Sequence, residues 1–236
     1  MIFAIIFASL IPSILLYFWM KNIVRKPENE SFKKACRDAM FKGCMVIFPI
    51  IMTSFLFAVF EKLVGLHNGD SLFASAFHDF IVLALAEELC KTWMCFKVLK
   101  KADYAYTWLD TIIFMTAVSL GFEIMEALLY SIGSSPGQIL VRGILIMHGG
   151  YGFIEGFFYG KTAFTGNKLW AVLGFVICWI MHGAYDFGLS PDFLAVSEYS
   201  AFLSVTLALV SLIILIYMII FFAGKKKLRY HIPILF

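Results

Sequence analysis

The fold class is decided by stretches such as residues 108–131, WLDTIIFMTAVSLGFEIMEALLYS. This stretch is long enough to cross the ~30 Å hydrocarbon core of a bilayer, which takes about 20 apolar residues as a helix. It nevertheless carries Glu123 and Glu126, and a charge at the centre of a membrane helix costs about 2.5–3.5 kcal/mol on insertion scales. Such residues face a protein interior or a water-filled cavity instead of lipid. The stretch therefore predicts a membrane helix within a polar-cored bundle.

Apolar stretches of similar length recur along the whole chain. Hydrophobic residues make up 61% of the 236 residues and charged residues 15%, whereas soluble domains average about 45–50% and 25%. This composition excludes a soluble enzyme, a disordered chain and a nucleic-acid-binding module. We predict an all-α, polytopic bundle in which residues 1–236 form a single membrane-embedded domain. Its predicted spans are 2–20, 44–64, 77–96, 108–131, 138–160, 169–189 and 200–223.

The distribution of lysine and arginine predicts the orientation of these seven spans. Basic residues concentrate after the first, third and fifth spans and in the tail, within residues 21–42, 97–101, 161–168 and 225–229. Loops rich in Lys and Arg remain on the cytoplasmic side. We therefore expect the N-terminus outside, the tail 224–236 inside, and the protein in the bacterial cytoplasmic membrane. No basic segment precedes the first span, so it is expected to stay as an anchor instead of being cleaved as a signal peptide.

Ionisable residues inside the third to sixth spans are the candidate functional residues. Some share one face of a helix by their spacing, such as Glu88 with Lys91 and His182 with Asp186. Because so many charges cannot all face lipid, the spans within 77–189 are predicted to enclose a polar core. The first, second and seventh spans would then form an apolar wall. The full set is Glu87, Glu88, Lys91, Glu123, Glu126, His148, Glu155, His182 and Asp186.

Three classes of function fit such a set of residues. In a hydrolase, a carboxylate deprotonates water while imidazoles hold a metal or an oxyanion. The sequence has neither HExxH nor GxSxG. It therefore lacks the usual zinc-binding helix of metalloproteases and the usual nucleophile motif of serine hydrolases. In a proton-coupled transporter the same residue types would relay protons, although no inverted repeat is visible. A non-catalytic scaffold that binds a partner's membrane helix is the third possibility.

On these residues the sequence resembles the PrsW-type intramembrane proteases, relatives of the CAAX prenyl endopeptidases. That family is marked by EExxK, FxxxE, a lone His and HxxxD, each on its own span. The corresponding residues here, in the same order, are Glu87-Glu88-Leu-Cys-Lys91, Phe122-Glu-Ile-Met-Glu126, His148 and His182-Gly-Ala-Tyr-Asp186. The resemblance extends over about residues 1–225. Each motif alone is weak, but four in order on the expected spans are specific.

The resemblance implies an endopeptidase that acts within the membrane. Its partners would be the lipid bilayer and a single-span membrane protein. The family's role implies that this substrate is an anti-sigma factor, cut first near its extracytoplasmic side in an envelope-stress or antimicrobial-peptide response. Two positions depart from the family pattern: Ala127 stands where many members carry Asn, and Glu123 adds an acid where many carry a small residue.

By analogy with the CAAX relatives, the resemblance also implies roles for individual residues. Glu87 would activate the attacking water. Glu126 occupies the position at which those relatives carry a His that helps to bind this water. His182 and Asp186 would stabilise the oxyanion.

A supporting pair and a possible metal complete the site that the resemblance implies. Glu88 would pair with Lys91. Glu126, His148 and His182 provide two His and one Glu, the donor set of a zinc site with an open position. The same residues also suit metal-free chemistry, so the sequence leaves open whether the cofactor is one zinc ion or none.

The depth of these residues predicts where cleavage occurs. Counted at about 1.5 Å per residue from the outer end of each span, Glu87 and His148 lie roughly 15 Å deep, and Glu126 and His182 roughly 8–10 Å. All four then lie between the midplane and the outer surface of the ~30 Å core. We therefore expect a polar cavity that opens outward or sideways, and cleavage at or just outside the outer boundary.

Overall fold

The computed structural model describes residues 2–23, 30–101, 107–133, 135–197 and 199–223, and these ranges are almost entirely helical. A π-helix, His78–Leu85, joins two of the α-helices. The α-helices are α1 Ile2–Ile23, α2 Glu30–Met45, α3 Ile47–Leu63, α4 Leu72–Phe77, α5 Ala86–Lys101, α6 Trp108–Tyr130, α7 Pro136–Leu145, α8 Met147–Thr165, α9 Leu169–Leu189, α10 Pro191–Val196 and α11 Ser200–Ala223.

The centre of the bundle is the pair α6 and α8. Small residues at four-residue spacing on α8, namely Gly152, Gly156 and Gly160, let the two backbones approach closely, a common arrangement between membrane helices. A Cβ added at Gly156 would lie 2.6 Å from the Cα of Ile112. The hydroxyl of Thr111 donates to the Gly156 carbonyl at 3.0 Å, which fastens α6 to α8 at the same point.

Residues 30–42 form a helix instead of the loop expected after the first span. This helix, α2, buries Phe32, Cys36 and Ala39 against the core that includes α6. It continues almost directly into α3, and an added Cβ at Gly43 would clash with the backbone of Val118. The charged side chains on its other side explain why this segment reads as a loop in sequence. Residues 24–29 and the predicted cytoplasmic tail, 224–236, lie outside the described residues.

The prediction of a helical membrane bundle is confirmed. Among the described residues, five helical segments are long and apolar enough to cross a membrane: 3–21, 30–63, 108–130, 169–189 and 200–217. The stretch predicted over 77–96 is divided between α4, the π-helix and α5, and the stretch over 138–160 is broken at Ile146. The number of seven spans and their orientation therefore stay predictions.

Helices α1, α3 and α11 expose their apolar side chains, and we call these three helices the apolar wall. Examples of exposed side chains are Phe7, Phe55 and Phe202. By contrast, α6 is buried over most of its length, including Glu123 and Glu126. The ionisable residues of the middle spans thus lie on the inner helices.

Candidate active site

Glu88 lies at the centre of a buried polar cluster. One of its carboxylate oxygens accepts hydrogen bonds from the Lys91 ammonium at 2.7 Å and from Nδ1 of His182 at 2.7 Å. Glu88 and Lys91 lie three residues apart on α5, so they share one face of that helix. Both side chains are fully buried. Their pairing is therefore what makes two charges tolerable at this depth.

His148 extends the cluster to two further helices. The Lys91 ammonium can only donate, so the contact at 3.0 Å makes Nδ1 of His148 the acceptor. Nε2 of the same ring then carries the proton and donates to Glu126 at 2.9 Å. A continuous chain of hydrogen bonds thus runs from α6 through α8 and α5 to His182 on α9.

His182 faces carboxylates on both of its ring nitrogens. Nδ1 donates to Glu88, while Nε2 lies 3.2 Å from Asp186 and 3.6 Å from Glu87. Two carboxylates around Nε2 call for a positive charge between them, which a second proton on the ring or a metal ion would supply. This end of His182 is the part of the cluster with the greatest excess of negative charge among the side chains described.

Glu87 and Glu88 are neighbours in sequence, but their carboxylates differ in exposure and in hydrogen-bond partners. Glu88 is fully buried and already bound by Lys91 and His182, whereas the Glu87 side chain is 13% exposed. The buried Oε2 of Glu87 has no hydrogen-bond partner. Asp186 is 15% exposed, so the cluster is least buried on the side of these two carboxylates. Glu87 is therefore the carboxylate free to act on a water molecule.

A break between α7 and α8 positions His148. Ile146 adopts a left-handed backbone, φ 41° and ψ 47°, which is unusual for a β-branched residue and costs about 1–3 kcal/mol. His148 is consequently the second residue of a new helix. That helix receives no capping hydrogen bond from the Ile146 side chain, and the carboxylate of Glu123 instead accepts from the Gly149 N–H at 3.2 Å. This contact explains why an acidic residue is present at position 123, which the sequence alone did not.

The π-helix holds α5 and α9 in register. A π-helix is wider than an α-helix and is frequent near functional sites. The carbonyl of Phe80 accepts from the Trp179 indole at 2.6 Å, and an added Cβ at Gly183 would clash with the Phe80 ring. Because Gly183 follows His182 directly, this junction lies next to the cluster.

Three residues bring potential metal-binding atoms together. Glu87, His148 and His182 each offer one ligand atom, and these atoms lie within 4.8 Å of one another. Glu126, which the sequence suggested as the carboxylate ligand, is instead the hydrogen-bond partner of His148. A ligand set cannot be chosen from spacing alone when each residue lies on a different helix.

The donor atoms fit a zinc ion. Two His and one Glu with an open position form a common catalytic zinc set. In such sites the second nitrogen of each ligating His usually donates to a carboxylate. His182 has that partner in Glu88, which leaves its Nε2 for an ion. Nε2 of His148 donates to Glu126, so its metal-binding atom would be Nδ1, which would exchange its contact with the Lys91 ammonium for the ion. The unpartnered oxygen of Glu87 would supply the carboxylate ligand.

The structure brings together every residue that the motifs suggested, including Phe122 of the FxxxE motif, and one aromatic residue that they did not, Tyr151. Phe122 packs edge-on against His148 and beneath the Lys91 ammonium, 4.9 and 5.3 Å away. The ring centroid of Tyr151 lies 6.0 Å from that of His148 and 5.6 Å from that of His182. The chain has many aromatic residues. In the sequence, Tyr151 differs from the others only in lying three residues after His148.

Glu155 is the ionisable residue that stays outside this cluster. It lies on α8, seven residues after His148, and it is fully buried. Neither of its carboxylate oxygens has a hydrogen-bond partner among the described side chains. The seven-residue spacing puts it on the same face of α8 as His148, two helical turns further along.

A helical membrane bundle that encloses a buried cluster of carboxylates and imidazoles favours the class of membrane-embedded hydrolases. Comparison with known proteins gives the family. A family model described as "PrsW family intramembrane metalloprotease" matches residues 39–223. The chain belongs to this family of bacterial membrane proteases and is a peptide hydrolase, which confirms the resemblance seen in the sequence.

Three curated relatives illustrate the similarity. Protease PrsW of Bacillus subtilis is 34% identical over 192 residues, which cover 78% of this chain and 82% of that protein. Protease PrsW of Geobacillus kaustophilus is 28% identical over 193 residues, covering 78% and 79%. Protease PrsW of Oceanobacillus iheyensis is 25% identical over 229 residues, covering 94% and 95%. No solved structure gives a significant match.

Proposed function

We propose that this protein cleaves a single-span membrane protein near its extracytoplasmic side, as the first cut of an anti-sigma factor in an envelope-stress or antimicrobial-peptide response. The observation that carries the catalytic part is the difference between Glu87 and Glu88. One carboxylate is available to water and the other is held by Lys91 and His182. Such a division of roles suits hydrolysis better than proton relay, in which both carboxylates would need to exchange protons.

In the proposed mechanism, Glu87 takes a proton from a water molecule, which then attacks the carbonyl carbon of the substrate. The Nε2–H of His182, 3.2 Å from Asp186, would exchange this carboxylate for the oxygen that becomes negatively charged, while the nearby Asp186 stabilises the positive charge of the ring. Glu88 fixes the ring through Nδ1. Glu87 then returns the proton to the leaving amine, so the base ends in its initial state.

In the alternative, zinc-dependent form, an ion held by Glu87, His148 and His182 would polarise the carbonyl and lower the pKa of the attacking water. Glu87 and Nε2 of His182 would then be ligands instead of base and donor. Glu126 and Glu88 would then orient the two His residues. We expect purified protein to contain about one equivalent of zinc by elemental analysis, and His148→Ala to lose it. Protein that folds, cleaves its substrate and contains no zinc would leave the carboxylates and His182 to act alone.

The helix ends support cleavage near the membrane surface. Glu126 lies four residues before the end of α6, and Asp186 lies three residues before the end of α9. At about 1.5 Å per residue, these carboxylates are roughly 5–6 Å from the ends of their helices. A peptide bond reaches such a site if its helix unwinds only near its own end.

The experiment that tests this function is co-expression with single-span anti-sigma factors that carry a tag on each side of the membrane. Wild type should release an extracytoplasmic fragment, and Glu87→Gln should bind the substrate without releasing it. Mass spectrometry of the fragment should place its new terminus at the outer boundary. Association with no fragment for either protein would indicate a scaffold, and a terminus in the cytoplasmic third of the span would refute the proposed depth.

A further inference from the structure

An apolar cavity of about 500 Å³ lies beside the catalytic cluster, between the ends of α6 and α9 and the helices α7, α10 and α11. Ala127, Ile139 and Tyr185 form its buried floor, while Tyr130, Leu194 and Val205 form an exposed rim. Its size falls within the range of roughly 300–1,000 Å³ typical of ligand-binding pockets. None of the residues in the proposed mechanism lines it, so the cavity is a separate feature of the molecule.

The position of the cavity connects it to the reaction. Ala127 directly follows Glu126, and Tyr185 directly precedes Asp186, so the floor is one residue, about 3.8 Å between Cα atoms, from two site residues. The rim residues are each 45% exposed, which leaves the cavity open to a segment that approaches from outside the bundle. A chain that is bound at the cluster and extends toward these helix ends would therefore pass close to the cavity.

The chemistry of the walls indicates what kind of side chain of such a chain would bind in the cavity. The floor and rim are mainly aliphatic and aromatic, and the Ser204 hydroxyl at the edge already donates to the Tyr185 carbonyl at 2.7 Å. Such a surface favours an apolar group and disfavours a charged one. Membrane-spanning segments consist mostly of apolar residues. We propose that the cavity is a specificity subsite that binds a large apolar side chain, such as Leu or Phe, beside the cleaved bond; this rests on the proposed proteolysis.

Ala127, the smallest residue of the floor, provides the test. Ala127→Leu would fill the floor, and Ala127→Ser is a control of nearly the original size. The probes are two tagged single-span reporters that differ only in carrying Ala or Phe at the outer membrane boundary. We expect wild type to cleave the Phe reporter faster, and Ala127→Leu to lower the Phe-to-Ala ratio of rates about tenfold or more, whereas Ala127→Ser keeps it within about threefold.

A binding measurement separates this subsite from the proteolysis itself. The photoreactive residue p-benzoyl-phenylalanine is placed at Leu194 in the Glu87→Gln protein, with the same residue at Phe55 of the apolar wall as a control. We expect cross-linking of the Phe reporter from the rim, several-fold above the control and reduced by Ala127→Leu. Cross-links without any cleavage by wild type would support the subsite and reject the protease function.

Two results would overturn the subsite. Cleavage with a ratio of rates that Ala127→Leu does not change would show that the cavity does not select substrate. A photoadduct with the mass of a lipid, and none with the reporter, would show that the cavity binds the bilayer instead. Failure of both cleavage and cross-linking would reject the subsite and the protease function together.

Discussion

The helices around the catalytic cluster and the helices of the apolar wall are built from similar apolar residues but have opposite surroundings. On α6, the residues from Leu109 to Glu123 are buried in an unbroken run. On α11, large side chains such as Phe202 and Ile213 are exposed. The apolar residues do not distinguish the two, because lipid is as favourable to them as a protein interior. The polar and small residues distinguish the two regions, because polar residues require protein partners and small residues allow close contact between backbones.

The helices around the cluster and the helices of the apolar wall are also held by different kinds of interaction. The inner helices are joined by hydrogen bonds such as His182 to Glu88, and by glycine contacts such as Gly156 against Ile112. The wall packs mainly by dispersion, which has no direction and tolerates change. Substitutions should therefore have large effects near the cluster and small effects in the wall, and the following predictions test this from the largest effect to the smallest.

The largest effect is expected for Glu87→Gln. The substitution keeps the size of the side chain and removes the base, so the cleavage rate should fall about 10²–10⁴-fold. Glu155→Gln is the matched control, because it is an isosteric change at a buried glutamate on an inner helix outside the cluster. Its cleavage rate should stay within about threefold of wild type. Equal losses in the two variants would show that burial, not the position of Glu87, determines activity.

The next largest effect is expected for Lys91→Ala, and it concerns stability. This change leaves Glu88 buried without its cation, and breaking a buried ion pair costs about 3–5 kcal/mol. Protein levels and the thermal unfolding midpoint in detergent should both fall. Adding Glu88→Gln removes the unpaired charge and should recover part of the loss. Without such recovery, the Glu88–Lys91 pair would not be what stabilises this part of the bundle.

The sequence predicts the helical fold and the members of the cluster well, because ionisable residues within membrane spans must face the protein interior or a water-filled cavity. Glu88, Lys91, His148 and His182 are conspicuous for that reason. The partner of each residue is less predictable. Glu126 pairs with His148 across two helices, and the rotation of one helix against another follows from packing over its whole length.

Interruptions in helices were also beyond what the pattern could predict. The left-handed residue Ile146 has no glycine or proline signal, and the π-helix His78–Leu85 contains neither residue. Both depend on tertiary contacts, such as the bond from Trp179 to the Phe80 carbonyl. The helical character of residues 30–42 is hidden by charge, since only one face of α2 is buried.

A smaller effect is expected for Glu123, which lies on an inner helix and accepts a hydrogen bond from the backbone N–H of Gly149, the residue after His148. Loss of a helix cap costs about 0.5–2 kcal/mol, so Glu123→Ala should lower the unfolding midpoint slightly and the cleavage rate less than tenfold. Glu123→Gln keeps an oxygen that can accept from Gly149, and it should restore most of the rate. A cleavage rate of Glu123→Gln as low as that of Glu123→Ala would show that the negative charge of Glu123 is needed and that capping alone does not explain its role.

The smallest effect is expected in the apolar wall, where one pair of matched substitutions compares the two regions directly. Phe55 on α3 is 66% exposed, while Phe122 on α6 is 1% exposed and contacts both His148 and Lys91. Phe55→Leu exchanges one lipid-facing apolar group for another, so the unfolding midpoint and the cleavage rate should stay near wild type, within about 0.5 kcal/mol in stability. Phe122→Leu changes the shape of a packed interior and removes a ring from beneath the ammonium, which should cost about 1–3 kcal/mol and lower cleavage. Thermal unfolding in the same detergent and cleavage of the same reporter measure both variants. Equal effects at the two positions would mean that the wall is covered by protein, as it would be if α3 packed against a second copy of the chain.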